Sequence, residues 1–330
     1  MWGAIDLIPH RSPASMTTAI YTHPDCERHE MGDWHPESPA RLQAIADQLI
    51  ASGLAPYLEY REAPVAALTE LARVHQASVI ARVRDHVPKP DAAQPYFSLD
   101  PDTALNAYSW QAALRAAGAA VAATDAVIAG DIDNAFCAIR PPGHHATPDA
   151  SMGFCLFNNV AIAARHALDA GGLQRVAIVD FDVHHGNGTE AAFRDDPRVL
   201  MVSFFQHPLY PYSGIDPTGT APAHLVNIAL PAFTRGDVIQ DVVRTRWLPA
   251  LDAHRPEMIF ISAGFDAHRE DELAQMGLIE TDYAWITRQI MAVAARHAQG
   301  RIVSCLEGGY HLSALARSVA AHVKVLAAMA

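Results

Sequence analysis

The stretch Arg175–Thr189, RVAIVDFDVHHGNGT, opens as an apolar strand and closes on two aspartates, two histidines and two glycines. Alternate residues of a strand share a face. Asp180, Asp182 and His184 are therefore predicted to project one way, with Phe181 and Val183 the other. Two carboxylates and an imidazole pressed together are costly to bury unless a cation joins them. A lone Asp-x-His is more simply a hydrogen-bonded pair beside a helix cap. The clusters elsewhere in the chain decide against that simpler reading here.

Short β-like runs alternate with Ala-rich helical ones, the pattern of an α/β parallel sheet flanked by helices. Predicted strands are residues 19–23, 135–140, 176–182, 199–205, 258–264 and 302–306. Predicted helices are residues 39–52, 107–129, 158–170, 283–299 and 312–328. Residues 88–103 and 206–224 read as surface loops from their prolines, aspartates and glycines. Four predicted strands each run into a polar cluster: Pro-Pro-Gly-His144-His145, Asp180 to His185, Phe265-Asp266, and Glu-Gly-Gly-Tyr310. In open α/β sheets sites form outside the carboxyl ends of the strands, so four clusters on one edge point to a single site.

Asp182 and His184 supply two metal ligands, and Asp266 is the best-placed third. An Asp2His set leaves a coordination position open, as in catalytic rather than structural zinc sites. Manganese and iron(II) accept the same donors. His144 and His145 suit proton transfer near neutral pH, and Asp180 is placed to orient one of them. A phenol at Tyr310 can donate to an oxyanion. Together these groups read as metal-assisted hydrolysis of an amide.

The chain has 330 residues and a formal net charge of −12. We expect one domain, residues 19–330, after an N-terminal extension, residues 1–18, within which Met16 offers an alternative start. The acidic balance disfavours nucleic acid as a partner. No apolar run approaches the 18 or so residues of a membrane helix, so no membrane partner is expected. Cys26, Cys137, Cys155 and Cys305 form no CxxC pair and read as reduced thiols of a cytoplasmic protein. A homo-oligomer is compatible with the sequence.

The motifs RPPGHHA, MGFCLFNNVAIAA, VDFDVHHGNGTEAAF, SAGFDAH and LEGGYHL resemble, in that order, those of the zinc-dependent histone deacetylases. HPESPARLQAI resembles that family's first substrate loop, and the likeness runs from about Ala19 to the last helix. The resemblance covers the class II-like branch with its bacterial deacetylase-like amidohydrolases and acetylpolyamine amidohydrolases. It implies the arginase/deacetylase fold, with an eight-stranded, mainly parallel sheet. It implies one Zn2+ per chain on Asp182, His184 and Asp266, with His144 and His145 as the proton-transfer pair and His145 the general base. Asp180 would partner His144, Asn187 would face His145, and Tyr310 would be the electrophile. Gly153, Phe154 and Tyr210 would line an acyl-lysine channel, Asp102 would grip the substrate backbone, and Arg41 would line an internal acetate-handling cavity. Potassium would sit among Asp180, Asp182, His184, Ser203 and Phe204.

The sequence departs from the family pattern in three places. Asn187 stands where class I members carry aspartate. SFFQHP replaces an SLHR-like run near the monovalent-cation site, and DELAQM replaces DPLGGM on the channel rim. Polyamine-selective relatives use a rim glutamate, and the matching position here is Leu273. We therefore expect an acylated lysine or related acylated amine as substrate, with acetylpolyamine the alternative. An arginase-like binuclear hydrolase needs a carboxylate two residues after His184, where Gly186 stands. A non-catalytic acyl-lysine binding protein is expected to lack Tyr310 or one of the paired histidines, and all are present.

Overall fold

The computed structural model describes residues 16–329. The expected N-terminal extension thus falls largely outside the described residues, and Thr18, which we assigned to it, already begins the first strand.

The strands in chain order are β1 (Thr18–Thr22), β2 (Glu59–Glu62), β3 (Phe97–Ser98), β4 (Ala104–Leu105), β5 (Asn134–Cys137), β6 (Val176–Asp180), β7 (Val199–Gln206), β8 (Leu225–Leu230), β9 (Ile259–Ala263) and β10 (Ile302–Leu306). Eight form one sheet in the order β2-β1-β5-β10-β9-β6-β7-β8. Each neighbouring pair in it is parallel, so the expected mainly parallel sheet is parallel throughout. β5, β6, β9 and β10 are buried at every residue, because helices cover both faces of a parallel sheet.

The helix Leu312–Leu326 packs against both Ala40–Ala51 and Glu280–His297, while Ser109–Ala129 packs against Asn159–Asp169. By length and composition Ser109–Ala129 is apolar enough to cross a membrane, with a mean hydropathy of 1.4, although no such segment was expected. Two thirds of that window is buried in this fold, packed against the sheet and its neighbours.

Two edge strands were not predicted. β2 is mostly exposed, and β8 is half-buried; neither carries the continuous apolar run that marks a central strand. The predicted loop 88–103 also contains β3, which pairs antiparallel with β4. The strands that carry the four polar clusters, β5, β10, β9 and β6, are adjacent in the middle of the sheet. Their carboxyl ends therefore open on one patch.

Candidate active site

The sequence reading placed Asp180, Asp182 and His184 on one face of a strand, but β6 ends at Asp180. The backbone turns there because the Asp180 carboxylate accepts a hydrogen bond from the Asp182 amide at 3.1 Å, and the Asp182 carboxylate accepts from the His184 amide at 2.8 Å. Such short side-chain-to-backbone bonds compete with the ladder. The three side chains still converge, held by this turn rather than by strand alternation. Phe181 and Val183 go into the core as expected.

Donor atoms of Asp182, His184 and Asp266 all lie within 4.8 Å of one another, and all three residues are buried. His184 Nδ1 is 3.0 Å from Asp182 Oδ1 and 3.2 Å from Asp266 Oδ2. Burial works against a charge on His184, but Asp182 and Asp266 outweigh it and push the ring up to about 10. Burial and the Asp182 charge together push Asp266 up to about 6. Asp266 Oδ2 is deeply buried and, its 3.2 Å contact with the His184 ring aside, has no well-aligned hydrogen-bond donor. A buried carboxylate oxygen without a well-aligned donor, in a field that favours positive charge, fits a divalent cation. The backbone is shaped to match. A Cβ at Gly308 would lie 1.9 Å from Asp266 Oδ2, and one at Gly264 would lie 2.0 Å from Asp182 Oδ2. The Gly308 amide instead donates to Asp182 Oδ2 at 2.9 Å.

His144 and His145 lie side by side, ring centroids 4.1 Å apart. His144 Nδ1 is 3.0 Å from Asp180 Oδ2, and His145 Nδ1 is 2.8 Å from Asn187 Oδ1. Burial opposes a charge on His144, yet Asp182 and Asp180 hold its pKa well above the ordinary histidine value. Burial, with the neighbouring His144 and His184, depresses His145 well below it. Their surroundings therefore pull the two rings in opposite directions, His144 toward its protonated form and His145 toward its neutral form. The turn after Met152 brings backbone against His145: Gly153 has φ +58 and its Cβ would meet the ring at 2.5 Å, so only glycine fits.

A cleft of about 230 Å³ leads to these groups. Asp102, Gly153, Phe154, Tyr210, Leu273 and Tyr310 line it, as the sequence reading expected, with His145 and His184 also on its lining. Tyr210 stands edge-on to His145 at 5.2 Å, and Phe154 edge-on to Tyr310 at 5.8 Å. Burial and the Asp266 charge keep the Tyr310 phenol protonated, its pKa well above 10.0. The Asp102 carboxylate accepts from Thr103 Oγ1 at 3.1 Å, and Thr103 Oγ1 accepts from the Phe154 amide at 2.9 Å, which ties the 97–105 hairpin to the cleft wall.

Ser203 is the register partner of Asp180 on β7. Its hydroxyl donates to Asn227 Oδ1 at 2.7 Å, and Phe204 stacks on Trp247 at 5.6 Å. Arg41 is fully buried and engaged on all sides. It donates to the main-chain oxygens of Gly309 and Glu307 and, at 3.1 Å, to Glu37 Oε1.

Sequence reasoning missed several residues that build the site. Leu209 and Tyr212 complete the cleft wall. Glu307 accepts from the amides of Gly143 at 2.6 Å and His144 at 3.1 Å and from Ser262 Oγ, so it fixes the histidine turn. Burial pushes Glu307 up to about 7. Asp271 accepts from the Tyr310 amide at 2.6 Å and so positions that tyrosine. Glu307 was legible in principle, as an acid between an apolar strand and Gly-Gly; Asp271 was hidden in a run of three acids.

The chain is similar to known proteins over most of its length. Residues 35–326 match the histone deacetylase domain. The histone deacetylase-like amidohydrolase of Pseudomonas aeruginosa is 40% identical over 84% of this chain and 72% of its own length. A probable deacetylase of Archaeoglobus fulgidus is 37% identical over 89% of this chain and 82% of its own. The polyamine deacetylase HDAC10 of Mus musculus is 36% identical over 94% of this chain, which spans 46% of that protein. Among solved structures, the HDA15 HD domain superposes with a TM-score of 0.88 at 33% identity, covering 96% of this chain and 90% of that one. A parallel eight-stranded sheet, an Asp-His-Asp cluster at its carboxyl edge and a match over most of the chain lead to one conclusion: the chain belongs to the histone deacetylase family.

Proposed function

We propose that residues 19–330 form a zinc-dependent amidohydrolase that removes acetyl or other acyl groups from lysine side chains or related amines. One observation carries this reading: the buried Asp182, His184 and Asp266 cluster lies beside a histidine pair whose rings are held by Asp180 at 3.0 Å and Asn187 at 2.8 Å. A divalent ion held by these three residues would supply Lewis-acid polarisation of the substrate carbonyl and of water. His145, neutral and fixed through Nδ1 by Asn187, takes the water proton. His144, paired with Asp180, holds its proton and the positive charge beside the reacting centre. Tyr310, kept neutral and anchored through its amide by Asp271, donates its hydroxyl proton as a hydrogen bond to the developing oxyanion. Phe154 and Tyr210 confine the apolar stem of the substrate and exclude water. Support for one ion rather than two comes from Gly186, which has no side-chain donor.

Leu273 on the cleft lining favours acyl-lysine over acetylpolyamine, because an apolar side chain stands at the rim position where polyamine-selective relatives carry a glutamate. The polyamine reading keeps a place because of the mouse relative's name. Hydrolysis of acetyl-lysine peptides, longer acyl-lysines and acetylspermidine by the zinc-loaded protein decides between them. A far higher kcat/KM on the polyamine would overturn the lysine reading. We extend the proposal to potassium near Asp180, Ser203 and Phe204, supported by the pairing of Asp180 at the end of β6 with Ser203 of β7. Elemental analysis after dialysis against potassium and then sodium buffers tests it; no retained potassium would remove it. Cytoplasmic location is likewise proposed, from the four free, buried cysteines, and fractionation of the native host checks it.

A further inference from the structure

Behind the cleft wall formed by Leu209, Tyr210 and Tyr212 lies a second cleft of about 430 Å³, lined by Ser213, Glu190 and Asn227, with Tyr212 shared between the two. Tyr212 therefore borders open space on both sides, and the 206–224 loop runs from the wall of one cleft into the wall of the other. A side-chain hydrogen bond ties this loop to the turn that carries Asp182 and His184. Ser213 Oγ is 2.8 Å from Nδ1 of His185, a ring that is only 2% exposed. The far nitrogen, Nε2, lies 2.9 Å from Glu190 Oε2. A carboxylate only accepts, so Nε2 carries a ring hydrogen, and Nδ1 shares a second hydrogen bond with the serine hydroxyl. Glu190 Oε2 also accepts from Asn227 Nδ2 at 2.6 Å, and Asn227 Oδ1 accepts from Ser203 on β7. Ser213 is thus the loop-side end of a polar chain that starts in the sheet. The loop backbone closes on the same ring: a Cβ at Gly214, whose φ is +86, would lie 2.6 Å from His185.

We propose that the Ser213–His185 hydrogen bond is a latch that holds the Tyr210–Tyr212 wall forward and so sets the width, and the acyl-chain selectivity, of the substrate cleft. Ser213 is a positioning residue: it touches no reacting atom, and it acts through Tyr210, whose ring lies 5.2 Å from His145 and 6.4 Å from His184. Without the latch the wall can fall back into the rear cleft, and a longer acyl group gains room. The selectivity claim rests on the amidohydrolase reading above; the holding of the wall does not.

The test compares wild type, Ser213→Ala and Ser213→Thr as zinc-loaded, full-length protein. Hydrogen exchange of the 206–216 segment is expected to quicken by roughly threefold to tenfold in Ser213→Ala, the scale of one neutral hydrogen bond, and to stay near wild type in Ser213→Thr. The ratio of kcat/KM for hexanoyl-lysine to acetyl-lysine peptide should rise at least about threefold in Ser213→Ala, with kcat on the acetyl peptide within about twofold, and should return in Ser213→Thr. Unchanged exchange in Ser213→Ala overturns the latch. Faster exchange with an unchanged acyl ratio, or a fall in kcat with KM constant, overturns the selectivity role. If wild type hydrolyses no amide at all, the amidohydrolase reading fails and the selectivity role with it, while the exchange rates alone decide whether the latch exists.

Discussion

Tyr310 and Asn187 each place one polar atom where the chemistry needs it, and each can be changed by a single atom or group. Tyr310→Phe removes only the hydroxyl. Loss of one oxyanion donor typically costs about a hundredfold to a thousandfold in kcat, and metal content and hydroxamate binding should be unaltered. Near-normal turnover would exclude the tyrosine. Asn187→Asp places a carboxylate against His145 Nδ1, 2.8 Å from the present amide oxygen. A negative partner raises a histidine pKa, so the base stays protonated to higher pH and the acidic limb of the kcat/KM profile should move upward. A limb that stays still or moves down would contradict His145 as base. At this scale the sequence was informative because Asp182, His184, Asp266, both histidines and Tyr310 each sit in a dense polar motif next to a buried strand. Glu307 and Asp271 escaped because their work is to hold backbone amides, and a residue that binds backbone leaves no pattern of partners in the sequence.

The carboxyl ends of β9 and β10 hold Asp182 and Asp266, the proposed metal ligands, against glycine rather than against side chains. Gly308→Ala puts a methyl group at 1.9 Å from Asp266 Oδ2, and displacing a ligand or its support typically weakens metal binding by about tenfold to a hundredfold. Zinc affinity measured by competition with a chelator should fall by that amount while the circular dichroism spectrum is retained. Unchanged affinity would show that the close approach does not shape the site. The central strands were readable from their apolar runs and the five longest helices from their Ala-rich runs. The edge strands β2 and β8 were not, because a half-exposed edge carries mixed residues. The turn after Asp180 was also out of reach. Strand alternation and a side-chain-capped turn bring the same three residues together, and only coordinates separate them.

Across the whole molecule the site rests on a buried charged platform. Glu37, Arg41 and Arg140 are fully buried, and Glu37 accepts from both arginines. Burial opposes the Glu37 charge, but Arg140 and Arg41 outweigh it and bring its pKa down to about 2. A depressed carboxylate stabilises the fold above its unfolded pKa and loses that contribution as pH falls through the folded value. Between about pH 5 and pH 3 this one group should remove about 2 kcal/mol from wild-type stability, a loss absent from Glu37→Gln, which is itself destabilised at neutral pH by an unpaired buried arginine. Urea titrations of both proteins at the two pH values check the difference, and equal losses in both would refute the assignment.

The most direct measurement is a zinc titration of chelator-stripped protein, with acetate release from an acetyl-lysine peptide as the readout. The expected result is no turnover in the stripped protein and a linear recovery that saturates at one zinc per chain. Asp182→Asn and Asp266→Asn should give no recovery at the same zinc concentration. Full hydrolysis by the stripped protein, or saturation only at two zinc ions per chain, would contradict the mononuclear, zinc-dependent amidohydrolase described above.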